Sequence, residues 1–331
     1  MKIIVPSVEL MRSGLEKEYI IPEKFIEKVG RTCYKSEDKI TEDSAFKFVA
    51  GLIKRGHEAM IEHYSLIFKV DTFTYEEILE DWDMLLHNRD IYLASTVKDT
   101  LRPYLRFTDT YDDATGEPRC IVSGNMRAWR DFVKACVECY GFIPQYLHGL
   151  VYCYPTFFPE YKIYIPGRIM NDKLSPISVR ELTPDERKVH QDITIKFVCD
   201  RGVSHEIVRH RVASFAQEST RYCNYGLDKF GNEITVVRPS WCAAGDTLYD
   251  IWYGGCLENE ETYFAMLNEG ATPQQARSVL PNSLKTEIIV TMNLNGWEHF
   301  FDLRCATDAH PDIQEVAAMA KDLINQEVCC G

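Results

Sequence analysis

The amino-acid sequence predicts an α/β (α+β) protein, a mixed sheet with helices packed on it. Three stretches carry that expectation. Residues 193–199, ITIKFVC, are apolar at Ile193, Ile195, Phe197 and Cys199, the period of two that marks a strand. Residues 286–293, TEIIVTMN, are a β-like apolar run leading into GWEHFFDLRC, which reads as a helix. Thr41-Glu-Asp-Ser44 opens a helix to about Arg55, and Gly56 stops it.

The elements follow in order. MKIIVPSVELM is a short apolar run broken by Pro6 and reads as an edge strand, not a signal peptide. The helix from Ser44 has Phe46, Phe48, Val49, Leu52 and Ile53 on its apolar side. GHEAMIEHYSLIFKV then places His57, Glu58, Glu62 and His63 just ahead of a strand from about Tyr64 to Val70. A helix from Tyr75 to about Ser95, the strand-like LRFTD, a turn at 112–116, the strand CIVSG and a helix from Met126 come next. The segment VYCYPTFFPEYKIYIPG is too aromatic for disorder and is expected to pack on something. After the strand 193–199, Val203 to Arg211 reads as helical turns and Ser214 to Arg221 as a polar, ligand-wrapping loop. A strand at Ile234–Val237, a helix through ENEETYFAMLNEG, another from Pro273 to Pro281, and a last helix from about Asp312 complete the pattern.

Composition narrows the function. The chain has 331 residues, 45% of them apolar, enough for a substantial core in one large domain or two. Its net charge of -13 opposes nonspecific nucleic-acid binding, which depends on neutralising phosphates. No stretch approaches 18 apolar residues, so no membrane partner is expected and the location reads as cytoplasmic. The twelve cysteines read as reduced thiols; Cys136-Val-Glu-Cys139 has no second pair to complete a metal site. Small anionic substrates remain possible, because a local Arg cluster can focus positive potential inside an acidic protein.

Such a cluster sits at residues 201–222. Arg209-His210-Arg211 is followed after seven residues by Ser219, with Arg221 and Tyr222 just beyond. Two Arg flanking a His supply planar, permanently charged donors that match phosphate bidentately, and the hydroxyls after them can complete a cradle. Glu206, Arg209 and His210 stand at i, i+3 and i+4, so on a continuous helix they share a face. His205-Glu206 and His210 approach a zinc HExxH, but histidines five apart lie roughly 140° apart on a helix, and no metal is expected. Ser219 has no G-x-S-x-G elbow and reads as a phosphate hydroxyl rather than a nucleophile.

Arg-His-Arg, seven residues, Ser, and Arg-Tyr two places on resembles the signature of the flavin-dependent thymidylate synthases. Matches far from the motif extend the resemblance: His57 and Glu62, Arg277 ahead of Leu-Pro, Asn293, and Arg304 at the end of FFDLR. Arg31, Cys33 and, more loosely, His310 also fit. Departures are Glu206 where Gln is common, Ala216-Gln217 for Asn-Glu, Asn295 for Arg, and His299 for Asn.

The resemblance implies a homotetramer that methylates dUMP to dTMP with 5,10-methylenetetrahydrofolate and NADPH, using FAD as hydride carrier. It implies Arg209 and Arg304 as the catalytic cations. For dUMP it implies Glu206, Arg209, Gln217, Glu218, Ser219, Arg221, Arg277 and Arg304. For FAD it implies His57, Glu62, Arg209, His210, Arg211, Asn293 and His299. One such domain would span 1–331, with 71–190 as a family-atypical insertion between two adjacent strands. A non-catalytic nucleotide-binding regulator that keeps the Arg-rich cradle is the other reading.

The sequence also repeats itself. Asn125-Met-Arg127-Ala-Trp129-Arg-Asp-Phe132 echoes Asn293-Leu-Asn295-Gly-Trp297-Glu-His-Phe300, each at a strand-to-helix turn. The first copy keeps the Asn-x-Arg that the resemblance places beside the flavin, so Asn125 and Arg127 join the FAD candidates.

Overall fold

The computed structural model describes residues 1–16, 20–87, 104–112, 115–165, 173–221, 224–227 and 231–330. Its strands are β1 (Lys2–Ile4), β2 (Ser7–Arg12), β3 (Ser65–Val70), β4 (Arg106–Tyr111) and β5 (Pro118–Asn125), then β6 (Ser175–Pro176), β7 (Asp192–Asp200), β8 (Ser214–Gln217), β9 (Thr235–Val237) and β10 (Lys285–Asn293). Its helices are α1 (Pro22–Tyr34), α2 (Ser44–Lys54), α3 (Thr72–His87), α4 (Met126–Tyr140), α5 (His148–Cys153) and α6 (Pro184–His190). They continue with α7 (Arg201–Ile207), α8 (Thr247–Asn268), α9 (Pro273–Ala276), α10 (Leu294–Arg304) and α11 (Pro311–Cys330). Helices and sheets are mixed, as an α+β protein requires.

The contacts divide the chain into two compact units. Unit 1 is Met1–Ser13, Lys28–Ile40 and Ile193–Gly331; unit 2 is Gly14–Glu27 and Thr41–Asp192. The segment 71–190 therefore shares a unit with 14–27 and 41–70.

Unit 1 is built on a sheet ordered β2-β7-β10-β8, with β1 and β9 paired in parallel as a two-stranded sheet. Pro6 splits the expected N-terminal edge strand into β1 and β2, which enter different sheets. Ile193, Ile195 and Phe197 of β7 pack with Ile288, Val290 and Met292 of β10, with Trp297 and Phe300 of α10, and with Ile313, Val316 and Ala317 of α11. Residues 214–217, expected as loop, instead form β8, antiparallel to β10 with Phe215 opposite Val290. A long buried neighbour overrides the weak local preference, because its own edge needs hydrogen-bond partners.

Unit 2 is built on an antiparallel sheet ordered β4-β5-β3-β6. This corrects the expectation that β3 and β7 are adjacent strands flanking an insertion: β3 pairs with β5 and β6, and β7 lies between β2 and β10. In α2 the buried residues are Ala45, Val49 and Leu52, at i, i+4 and i+7, while Phe46 is exposed, contrary to its expected place on the apolar face. The aromatic segment packs as expected, with Phe157 and Phe158 fully buried. The expected helix end near Ser95 lies outside the described residues.

Candidate functional site

The central motif begins where β7 hands over to α7. Asp200 caps α7, its Oδ1 accepting from the backbone N–H of Val203 at 2.8 Å. The helix ends at Ile207, three residues earlier than a shared face for Glu206, Arg209 and His210 requires. That expectation is therefore corrected: Arg209 is exposed, whereas His210 is buried.

Glu206 and His210 are nonetheless brought together by Arg304, the last residue of α10. The Arg304 guanidinium donates from Nε to His210 Nε2 at 2.8 Å and from NH1 to Glu206 Oε2 at 2.6 Å. It also donates from NH2 to the Glu206 carbonyl at 3.2 Å. Three of its five N–H groups are engaged in this way, leaving two for a ligand. Because His210 Nε2 accepts, the ring is neutral with its proton on Nδ1. Burial, then Arg304 and then His299, push the His210 pKa down to about 4. The ring packs edge-on against Phe300 at 4.8 Å, and the exposed His299 lies 6.1 Å away.

Farther along the motif, Gln217 donates from Nε2 to Ser204 Oγ at 2.9 Å and to Thr286 Oγ1 at 3.2 Å. The Ser219 N–H donates to the Cys33 carbonyl at 3.1 Å, and the Arg221 N–H to Ser219 Oγ at 3.4 Å. Arg277, exposed, donates to Thr220 Oγ1 at 3.4 Å. Asn293 spends Oδ1 on the N–H of Gly296, capping α10. Cys33 is buried, and burial followed by Glu37 pushes its thiol up to about 12, so it contributes backbone and bulk. Tyr222 lies outside the described residues.

The sequence reading missed a buried ionic group. Lys285 donates to Glu218 Oε2 at 2.8 Å and to Glu287 Oε1 at 2.5 Å; Lys35 also bonds Glu287, and Lys196 reaches it at 2.6 Å. Burial alone would favour the neutral acid, yet Lys285 and Lys35 hold the Glu287 carboxyl down at about 2. The group borders a cavity of about 650 Å³ that Tyr225 and Thr235 also line. A Glu inside the apolar run TEIIVTMN, two places from a Lys, was the available signal.

In unit 2, His57 precedes a 3₁₀ turn, Glu58–His63, and is exposed. Glu62 accepts from Arg127 NH1 at 2.5 Å, so two FAD candidates bond each other. Asn125 caps α4 by accepting from the N–H of Ala128 at 2.8 Å. Groups of His, Cys, Asp and Glu able to hold a metal are absent among the described residues.

Arg209 and Arg211 are exposed, and neither side chain has a hydrogen bond or ion pair among the described residues. These two, Arg277 and the remaining Arg304 N–H groups are donors of the kind that suits the phosphates and carbonyls of a nucleotide or of FAD. Residues 188–328 match the family described as thymidylate synthase complementing protein.

Relatives extend the match. The flavin-dependent thymidylate synthase of Pyrococcus furiosus is 41% identical over 119 residues, 36% of this chain and 48% of that one. That of Pyrococcus abyssi is 36% identical over 130 residues, 39% and 52% of the two chains. That of Thermococcus kodakarensis is 32% identical over 165 residues, 49% and 66%. The chain thus spans about half the length of the first relatives.

Proposed function

We propose that the protein is a flavin-dependent thymidylate synthase that converts dUMP to dTMP, with 5,10-methylenetetrahydrofolate as carbon donor and NADPH as reductant. The carrying observation is the Arg304–His210–Glu206 cluster beside the exposed Arg209 and Arg211, inside the family-matched segment. Arg209 and Arg304 are proposed to polarise the uracil carbonyls and stabilise the enolate charge that would make C5 a nucleophile. Arg211, Ser219, Arg221 and Arg277 would hold phosphate and sugar. Glu206 would act through Arg304, while Gln217 and Glu218 would shape the same wall.

FAD, when bound, supplies the hydride. Arg209, His210, Arg211, Asn293 and His299 are the proposed contacts, and His57, Glu62, Asn125 and Arg127 are further candidates. The mixed sheets are proposed to be a flavin-dependent thymidylate synthase-like fold elaborated by 71–190, assembling as a cytoplasmic homotetramer. No described helix is long and apolar enough to cross a membrane. The test is tritium release from C5-labelled dUMP, expected only with folate, FAD and NADPH all present. Release that persists without flavin would overturn the proposal.

A further inference from the structure

We propose that Glu206 is a positioning residue, which holds the Arg304 guanidinium in one orientation and through it fixes the His210 ring for the nucleotide. The role rests on the proposed activity, but its geometry stands apart from it. Glu206 engages both terminal nitrogens of Arg304, one through its carboxylate and one through its own carbonyl, while Nε reaches His210. A guanidinium gripped at three points has little rotational freedom left to lose when a ligand arrives, so less binding energy goes into ordering it. Both partners are themselves anchored. Glu206 sits in α7, whose start is fixed by the Asp200 cap and by the Arg201 N–H bonding the Asn282 and Leu284 carbonyls. His210 is wedged against Phe300, a fully buried residue of the same helix as Arg304.

The carboxylate matters at this position. A Gln amide at this position could accept from Arg304, but without a charge. A hydrogen bond to an ionised acceptor is roughly twice as strong as its neutral counterpart. Among the described residues the charged and titratable groups that act on His210 are Arg304 and His299, and Glu206 is joined to it through Arg304.

The experiment follows His210 by NMR titration in wild type, Glu206→Ala, Glu206→Gln, Arg304→Ala and the double variant Glu206→Ala/Arg304→Ala. Glu206→Ala is expected to raise the His210 midpoint as Arg304→Ala does, with no further rise in the double variant. Glu206→Gln, which keeps an acceptor and loses the charge, should give a midpoint between wild type and Glu206→Ala. In parallel, kcat/KM for dUMP should fall at least tenfold in Glu206→Ala and only a few-fold in Glu206→Gln, with unfolding midpoints unchanged. A wild-type His210 midpoint in Glu206→Ala would overturn the proposal, as would a rise in the double variant beyond either single one. A wild-type protein that releases no tritium would instead overturn the functional reading, and the titrations would still decide the positioning role.

Discussion

The turn from β5 into α4 in unit 2 and the turn from β10 into α10 in unit 1 share one framework and differ in charge. In each, an Asn caps the helix: Asn125 accepts from Ala128, and Asn293 from Gly296 at 2.9 Å. In each, a Trp and a Phe lie fully buried beneath the helix with rings in contact, Trp129 with Phe132 at 6.5 Å and Trp297 with Phe300 at 5.5 Å. Both strands pair antiparallel with a strand that follows a His- and Glu-bearing segment.

The polar chemistry diverges from there. Two residues past the Asn, Arg127 is neutralised by Glu62 and approached by Asp131 at 3.7 Å, while Asn295 is exposed. Five past, Arg130 is buried and paired with Glu160 at 2.7 Å and Glu58 at 3.3 Å, while Glu298 is exposed. Eleven past, from 125 to 136 and from 293 to 304, unit 2 has the buried Cys136 where unit 1 has Arg304. A strand-to-helix turn is thus a frame set by capping and packing. Whether it offers a ligand any donors depends on the few positions that packing leaves open.

The largest expected effects test the shared frame. Trp297→Ala and Trp129→Ala should each cost about 3–5 kcal/mol of stability in urea unfolding, the usual penalty for emptying a buried aromatic site. If only one does so, the two turns are not equivalent in packing. The next test addresses the divergent position. Arg304→Ala should weaken dUMP binding by about 1.5–3 kcal/mol, one to two decades by calorimetry, whereas Cys136→Ala should leave it unchanged.

Smaller effects sharpen the comparison. Trp297 donates from Nε1 to the Ile193 carbonyl at 3.1 Å, while Trp129 Nε1 is buried with no hydrogen-bond partner. Trp297→Phe should therefore cost about 1 kcal/mol more than Trp129→Phe. Each unit also buries a histidine whose pKa is lowered. His210 is held by Arg304; His190 lies between Ser123 at 2.7 Å and Thr108 at 2.9 Å. Burial, with Arg304 at the first and Arg106 at the second, lowers both to about 4.

A depressed His pKa means the unfolded chain binds more protons between about pH 4 and 6.5, so stability rises with pH across that window. The contribution is complete above 6.5 and is lost as pH falls toward 4. In NMR titrations Arg304→Ala should raise the His210 midpoint and leave His190 alone. A parallel rise at His190 would show a general loosening instead of a local charge effect.

Much was legible before any coordinates. Periodicity alone located β7, β10, α10 and the strand-to-helix repeat, because burial on one face stamps a period of two or 3.6 on neighbouring residues. Spacing marked the cluster of Arg209, His210, Arg211 and Ser219, and the resemblance to the flavin-dependent thymidylate synthases added the distant Arg277 and Arg304 as candidates. Where periodicity failed, a tertiary neighbour had decided: β8 is a strand because β10 presents an unpaired edge, and β3 finds its partners in β5 and β6.

The sequence by itself determined strands such as β7 and β10, the helix α10, the buried aromatic anchors and the cationic residues of the motif, since these are properties of runs a few residues long. Only the tertiary structure decided which charges are committed. Glu206 and Arg304 are 98 residues apart in the chain, as are the members of no helical or strand pattern. Lys35 and Glu287 are 252 apart. Ion pairs between such distant residues leave no local periodic trace. Whether an arginine is spent on a neighbour or kept for a ligand is therefore written in the packing of sheets and helices, not in the order of residues.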